Sequence, residues 1–459
     1  MSLTKTVGFV AVTTLAVGGA AFGQNDMQAQ IADLQAQIAE LKGAQGGQWL
    51  TEQRAAEIRG IVTDVLADAD TRASLQGAGG TSGYNGGFFL NSADGNFSMK
   101  FNVLEQMRWS FNDRDTDGAG ADSTHQANGF ENKRTRLTFS GNVVDSTWTY
   151  KTAFYFGYAN NAEFGDFNLA TGGFDNGDGT FLADASVSKD FGNGLSLTAG
   201  QFKNSFTAEY NLDAGNMQFS DYSLVNTILG QAFGAGYGQG LHLAYAADQF
   251  RGGFSYVNSL NEINADWDAN SPSDPTLSPS DATLGQSDWA IAARGEFKFA
   301  GDWAQFNDAQ SWKGEGYAGM IGFGYASQNF SDDLVGTPAT WTIDGTVEFG
   351  GANVNAAYYS FDGDATGLEV TAFTIAGGVF VTDNFEVVGR YENFDIDGGA
   401  EISTFTVGGN YYMAKNTAKL GVELGFALDP LPVDATYANW LASSEDGEWV
   451  LRGQMSFSF

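Results

Sequence analysis

The stretch "FSMKFNVLEQMRWSF", Phe97–Phe111, decides the fold. Phe97, Met99, Phe101, Val103, Met107, Trp109 and Phe111 share one parity, and Ser98, Lys100, Asn102, Gln106, Arg108 and Ser110 share the other. Successive side chains of a strand point to opposite faces, so this segment has one apolar face and one polar face. Glu105 is out of place on the apolar parity, which points to a bulge or to burial between subunits.

The same period of two runs through the rest of the chain. "RLTFSGNVV", "TWTYKTAFYFGY", "DWAIAARGEFKF", "WTIDGTVEF" and the terminal "EWVLRGQMSFSF" all alternate in this way. Counted along the chain, such segments begin near 97, 132, 147, 180, 195, 238, 250, 287, 314, 340, 353, 367, 385, 401, 418 and 446. That makes about sixteen strands of roughly ten residues, the length of a tilted membrane strand. Short connections such as "DFGNG" and "VTDNF" take turns with long polar ones such as "NDRDTDGAGADSTHQANG". This pattern predicts an all-β fold, a 16-stranded antiparallel transmembrane β-barrel over residues 91–459, with both termini on the short-turn side. A soluble sandwich would need a second family of strands to cover the apolar faces, and Trp and Tyr near strand ends suit interfacial girdles better.

Composition excludes other classes. No apolar run beyond the N-terminus approaches the roughly 18 residues of a spanning helix. The 55 acids against 22 bases give a net charge of −33, which repels nucleic acid. With no cysteine and only His125 and His242, there is little material for a zinc site or a Ser-His-Asp triad, so an enzyme is not expected.

The N-terminus reads as an export signal over residues 1–23. It has one Lys, a short apolar core "VGFVAVTTLAVGGAAF", and small residues at Ala21 and Gly23. Met27, Ile31, Leu34, Ile38 and Leu41 then form a heptad seam, a short coiled coil over 24–42. A linker over 43–90 carries an amphipathic helix over 51–75, with Ile58, Ile61, Val62, Val65, Leu66 and Ala69 on one face. These helices are expected in the periplasm of a diderm bacterium. There they either stand as a stalk touching peptidoglycan, in which case the barrel is only an anchor in the outer-membrane lipid, or enter the barrel mouth.

"ENKRTRLTFSGNVVDSTWTYKTAFYFG", "DASVSKDFGNGLSLTAGQFKNSFTAEY", "VGRYENFD", "TVGGNYYMAKNTAKLGVELGFALD" and "LRGQMSFSF" resemble the phosphate-selective porin O/P family. They are most similar to its planctomycete-type porins, which carry a segment like "WLTEQRAAEIRGIVTDVLADADTRASL". The resemblance implies an outer-membrane diffusion porin, a homotrimer, with a third loop folded into the pore. The trimer conflicts with the seam, where Ile at a and Leu at d favour a dimer. After "GQFK" the family commonly has Thr-Pro, whereas this chain has Asn204 and Ser205.

An anion filter needs bases at the narrowest point. No Lys or Arg lies between Lys203 and Arg251, so the constriction loop carries Glu209, Asp213 and Asp221 without a base. Lumen parity places a basic wall of Lys100, Arg108, Arg134, Arg136 and Lys151 on the first three strands, with Arg452 brought beside it by barrel closure. Lys203 joins them if Gly200 marks a bulge, and Arg251 is a further pore-lining base. Asp344, Glu348, Glu369 and Glu386 are read as the opposing acids. The expected result is a transverse charge field with weak ion preference. No cofactor is expected. "DRDTDG" (Asp113, Asp115, Asp117) copies half of a calcium loop, but Thr124 stands where the bidentate Glu belongs, so a solvated acidic loop is the better reading.

Overall fold

The fold is taken from a computed structural model. It describes residues 32–40, 60, 80–114, 125–156, 181–232, 234–260, 287–330, 336–399, 401–431, 440 and 447–459, with four two-residue strands between 158 and 178. The export segment, most of the coiled coil, all but Gly60 of the helix expected over 51–75, and Asp115 and Asp117 lie outside these residues. Residues 32–40 are helical, and the chain divides into two units, 1–78 and 79–459.

Sixteen strands make the barrel. They are β1 (Ser98–Asp113), β2 (Gln126–Val143), β3 (Asp145–Phe156), β4 (Phe181–Gly192), β5 (Leu195–Lys203), β6 (Tyr237–Ala246), β7 (Phe250–Val257) and β8 (Ser287–Ala300). The second half comprises β9 (Ala318–Phe330), β10 (Ala339–Glu348), β11 (Ala352–Asp362), β12 (Glu369–Phe380), β13 (Phe385–Ile396), β14 (Glu401–Tyr412), β15 (Ala418–Ala427) and β16 (Trp449–Ser458). Each pairs antiparallel with the next, and β16 returns to β1 in the register Trp449↔Asp113 to Ser458↔Leu104. Phe459 continues that pairing by exchanging two backbone bonds with Val103, 2.6 and 2.9 Å. A small hairpin, Thr81–Tyr84 with Phe88–Asn91, covers the lower edge of β1 at Ser98–Phe101.

The short turns follow from their residues. Asn193 and Gly194, at φ 53° and 82°, join β4 to β5, and two positive φ values match the turn to the strand twist. One connection on this side is long. Segment 301–317, between β8 and β9, forms a 3-10 turn at Trp303–Asn307 and then inserts Trp312 between Phe380 and Tyr412, ring centroids 5.2 and 4.9 Å apart.

The outward parity is apolar and open. Ile321, Phe323 and Ile343 are each 52% exposed, a surface that lipid would cover. Inside, the core is built by segment 204–236, which leaves the sheet after β5 and folds into the lumen. Its Tyr210, Ala214, Met217 and Tyr222 pack on Leu104 and Tyr155 of β1 and β3. Its Leu224, Val225 and Leu229 pack on Tyr359, Val370 and Phe394 of β11–β13.

Candidate functional site

The inward loop is held in place by charge. Asp221 receives Arg108 Nη1 at 2.5 Å, Lys133 Nζ at 3.4 Å and Arg134 Nη2 at 3.5 Å. Arg390 donates to the Asp221 carbonyl at 3.0 Å. Burial alone would push the Asp221 carboxyl up, but the surrounding cations of Arg108, Lys133 and Arg134 drive it far below the usual carboxylate range. At the loop's tip, Asp213 caps a 3-10 turn through Gly215 N–H and pairs with Arg136 Nη2 at 2.5 Å. Burial opposes its ionisation too, yet Arg136 and the Gly215 amide hold it at about 2.

Wall carboxylates bind the loop's donors. Ser220 N–H donates to Glu423 (3.1 Å), Val225 N–H to Glu392 (3.1 Å) and Gln218 Nε2 to Glu386 (2.6 Å). Glu209 accepts both the amide and the hydroxyl of Ser223, each at 2.6 Å. Arg294 clamps Asp344 through two 2.7 Å bonds and donates to the Phe206 carbonyl at 3.0 Å, fixing the loop's root to β8 and β10. Segment 301–317 meets the loop from the short-turn end, with Ala309 N–H on the Asn216 carbonyl (3.0 Å) and Gln310 Nε2 on that of Met217 (3.0 Å).

The expected site residues fall into distinct groups. Arg108, Arg134 and Arg452 do point inward, but at 1%, 3% and 1% exposure they lie beneath the loop, not against open lumen. Arg452 pairs with Glu423 at 3.1 Å. Lys151 pairs with Asp184 at 3.0 Å, and Arg251 with Glu296 while stacking on Trp303 at 4.4 Å. Lys100 sits in the register facing Phe89 of the hairpin. Asp344, Glu348 and Glu386 are buried on the inner face. Glu369 is not: it lies exposed at the end of β12, on the outward parity of Phe373 and Ile375, because the inner parity there is Val370, Ala372 and Thr374. Asp113 ends β1, paired with Trp449 and Gln126, which is a strand position rather than the start of an ion-binding loop.

The bulge expected at Gly200 is also absent. Gly200 has φ 121°, yet β5 stays in continuous register with β4 and β6 around it. Lys203 reaches inward for another reason: it ends the strand, and its Nζ bonds the Tyr210 carbonyl at 3.0 Å and lies 4.0 Å from that ring's centroid. A bulge that matters for the site lies in β2. Gln106 faces Arg134 while Met107 faces Asn132, leaving Lys133 as the extra residue, turned inward. Glu105 stays on the outer parity just before this point and accepts a bond from Thr135 Oγ1 at 3.1 Å.

Strict alternation could have found Arg294, Glu296, Arg390, Glu392 and Glu423, all on polar parity. Lys133 carried no such signal. Between the loop and the wall from β5 to β13 there remains a cavity of about 540 Å³, reaching down to Gly194, Ala246 and Asn307 at the short turns.

No protein of curated function matches the chain. Among solved structures, OmpF of Salmonella typhi, determined in complex with daunomycin, aligns at 10% identity and a TM-score of 0.54 over 83% of this chain and all (100%) of that one. The outer-membrane channel DcaP of Acinetobacter baumannii aligns at 12% identity and a TM-score of 0.50, over 80% of this chain and 99% of its own. At these identities the likeness concerns the fold alone. The family model for phosphate-selective porin O and P matches residues 101–355, more than half of the 459 residues, and by that match the chain belongs to this outer-membrane porin family.

Proposed function

We propose that the chain is a passive diffusion porin for small hydrophilic solutes and ions, not a catalyst. The observation that carries this reading is a closed barrel, apolar outside, with a cavity of mixed charged and apolar lining left open beside its inward loop. The charge across the lumen is transverse, in an altered form. Its basic side (Arg108, Lys133, Arg134) anchors the loop through Asp221, and its acidic side is the loop together with Asp344 and Glu296 on the far wall, where they hold Arg294. The short turns face the periplasm, and with them the N-terminal segment. Leu34 and Ile38 stand 57% and 51% exposed on the described helix, which supports self-association of those segments; the homotrimer itself rests on the family resemblance. Conductance steps from the purified protein in a planar bilayer test the channel, and crosslinking in native membranes tests the trimer. A barrel that inserts without conducting would instead be an anchor.

A further inference from the structure

Glu105 is out of step in the sequence, and the fold keeps it there. The outward side chains of β1 are Met99, Phe101, Val103, Glu105, Met107, Trp109 and Phe111, so the carboxylate has apolar residues above and below it and stands midway along the membrane-facing belt. The bulge in β2 does not turn it away. That bulge falls one pair later, between Gln106 and Met107, and the residue it turns inward is Lys133.

Glu105 lies between Thr135 of β2 and Phe457 of β16. Thr135 Oγ1 gives it a hydrogen bond at 3.1 Å, and no base stands within ion-pairing distance of it among the described residues. Lipid offers a carboxylate neither a cation nor a donor, so this position is unfavourable against acyl chains. The wall from β9 to β12 shows what lipid selects: its outward Ile321, Phe323, Ile343, Val354, Phe373 and Ile375 are all apolar.

The surroundings of Glu105 differ from that wall in a second way. Asn132, beside Met107 in the register, is exposed on the same face, and Thr135 is half-buried there. Phe130, opposite Trp109, is 87% exposed and projects from the wall as an interface anchor does. Polar groups in need of partners beside a projecting aromatic describe a surface that protein covers. The exposed Leu34 and Ile38 of the N-terminal helix favour association of this chain with itself, which makes that protein another copy.

We propose that the outward face of β1 and β2 around Glu105 is buried against a second copy of this chain, which supplies the donor that Glu105 lacks. The inference rests on the self-association within the porin reading and adds the surface through which the barrels meet.

The chain has no cysteine, so single ones can report on each face. Met107→Cys, which leaves Glu105 in place, and Ile343→Cys are made in the full-length protein, labelled with a small fluorophore and reconstituted in vesicles of brominated phosphatidylcholine. The expected result is strong quenching at position 343 and its loss at position 107. Equal quenching at the two positions means that lipid covers β1, and overturns the proposal. A photoreactive group on the same Met107→Cys protein in native membranes should give adducts with a second copy of the chain; adducts with lipid or with a different protein alone overturn it. Glu105→Leu, which lipid would accept, should lower the temperature at which the native oligomer dissociates on gels, and an oligomer as heat-stable as wild type counts against the role of Glu105. Planar-bilayer conductance of the same preparations reads the porin function separately: a conducting protein with position 107 in lipid loses the interface alone, whereas a protein with position 107 protected that never conducts loses the porin reading alone.

Discussion

Asp221 Oδ2 lies 2.5 Å from Arg108 Nη1 although 113 residues separate them, and both are nearly removed from solvent. This contact ties the inward loop to the first strand. Lys133 and Arg134 converge on the same carboxylate, so one negative charge is shared among three buried cations.

Replacing Asp221 by Ala strands those cations in the interior. Breaking a buried pair costs about 3–5 kcal/mol. The loop should detach from β1 and β2, seen as larger and noisier conductance steps and a lower temperature of conversion from folded to unfolded on gels. An Asp221→Ala pore with wild-type steps and heat stability would remove the anchoring role.

Gly324 shows how closely the loop's root approaches the wall. A Cβ at this position would stand 2.2 Å from the Phe206 carbonyl oxygen, a backbone atom that cannot swing aside. Gly324→Ala should therefore lift the root off β9 and loosen the bond that Arg294 makes to the same oxygen. The expected readout is faster protease cleavage within 204–236 in an intact barrel, with cleavage at the wild-type rate counting against it.

Trp312 pins segment 301–317 through Phe380 and Tyr412. Trp312→Ala removes a buried aromatic, at a cost of about 3–5 kcal/mol. The barrel pairing does not depend on this side chain, so the protein should still fold while its conductance rises. A substantially lower yield of folded barrel would show instead that the segment is needed for assembly.

Asp308 gives this segment a pH dependence. Burial pushes its carboxyl up to about 6, Glu315 adds to the rise, and the bond from Trp312 Nε1 opposes it. An acid with a raised folded-state pKa binds more protons when docked, so the docked form loses stability as pH rises from about 4 to 6. Conductance noise should accordingly grow between about pH 4 and 6, and Asp308→Asn should be quiet and flat over that range. Equal pH slopes in the two proteins would rule out Asp308 as the titrating group.

Alternation made the barrel legible, because lipid on one side and polar lumen on the other imprint the same period on every strand. It placed Arg108, Arg136 and Asp344 on the inner face, as found. What it could not convey is depth within the lumen: Arg108 and Arg251 share a parity rule, yet one lies under the loop and the other beside the cavity. Lys133 was hidden because a bulge breaks the count on which the reading depends. Segment 301–317 was hidden because nothing in its composition distinguishes a turn that folds inward from one that does not.

The pairing of β16 with β1 has a consequence for how the molecule is made. Residues in contact there, such as Asn112 and Glu448, are 336 positions apart, so the seam is among the most non-local contacts in the chain. Until the final strand arrives, the sheet has two raw edges, each able to recruit a foreign strand. The hairpin at 81–91 shields only the lower part of the first edge, and the exchange between Phe459 and Val103 extends the pairing of the other. Loss of β16 would leave an open sheet, not a smaller ring, so closure of the barrel waits on that strand.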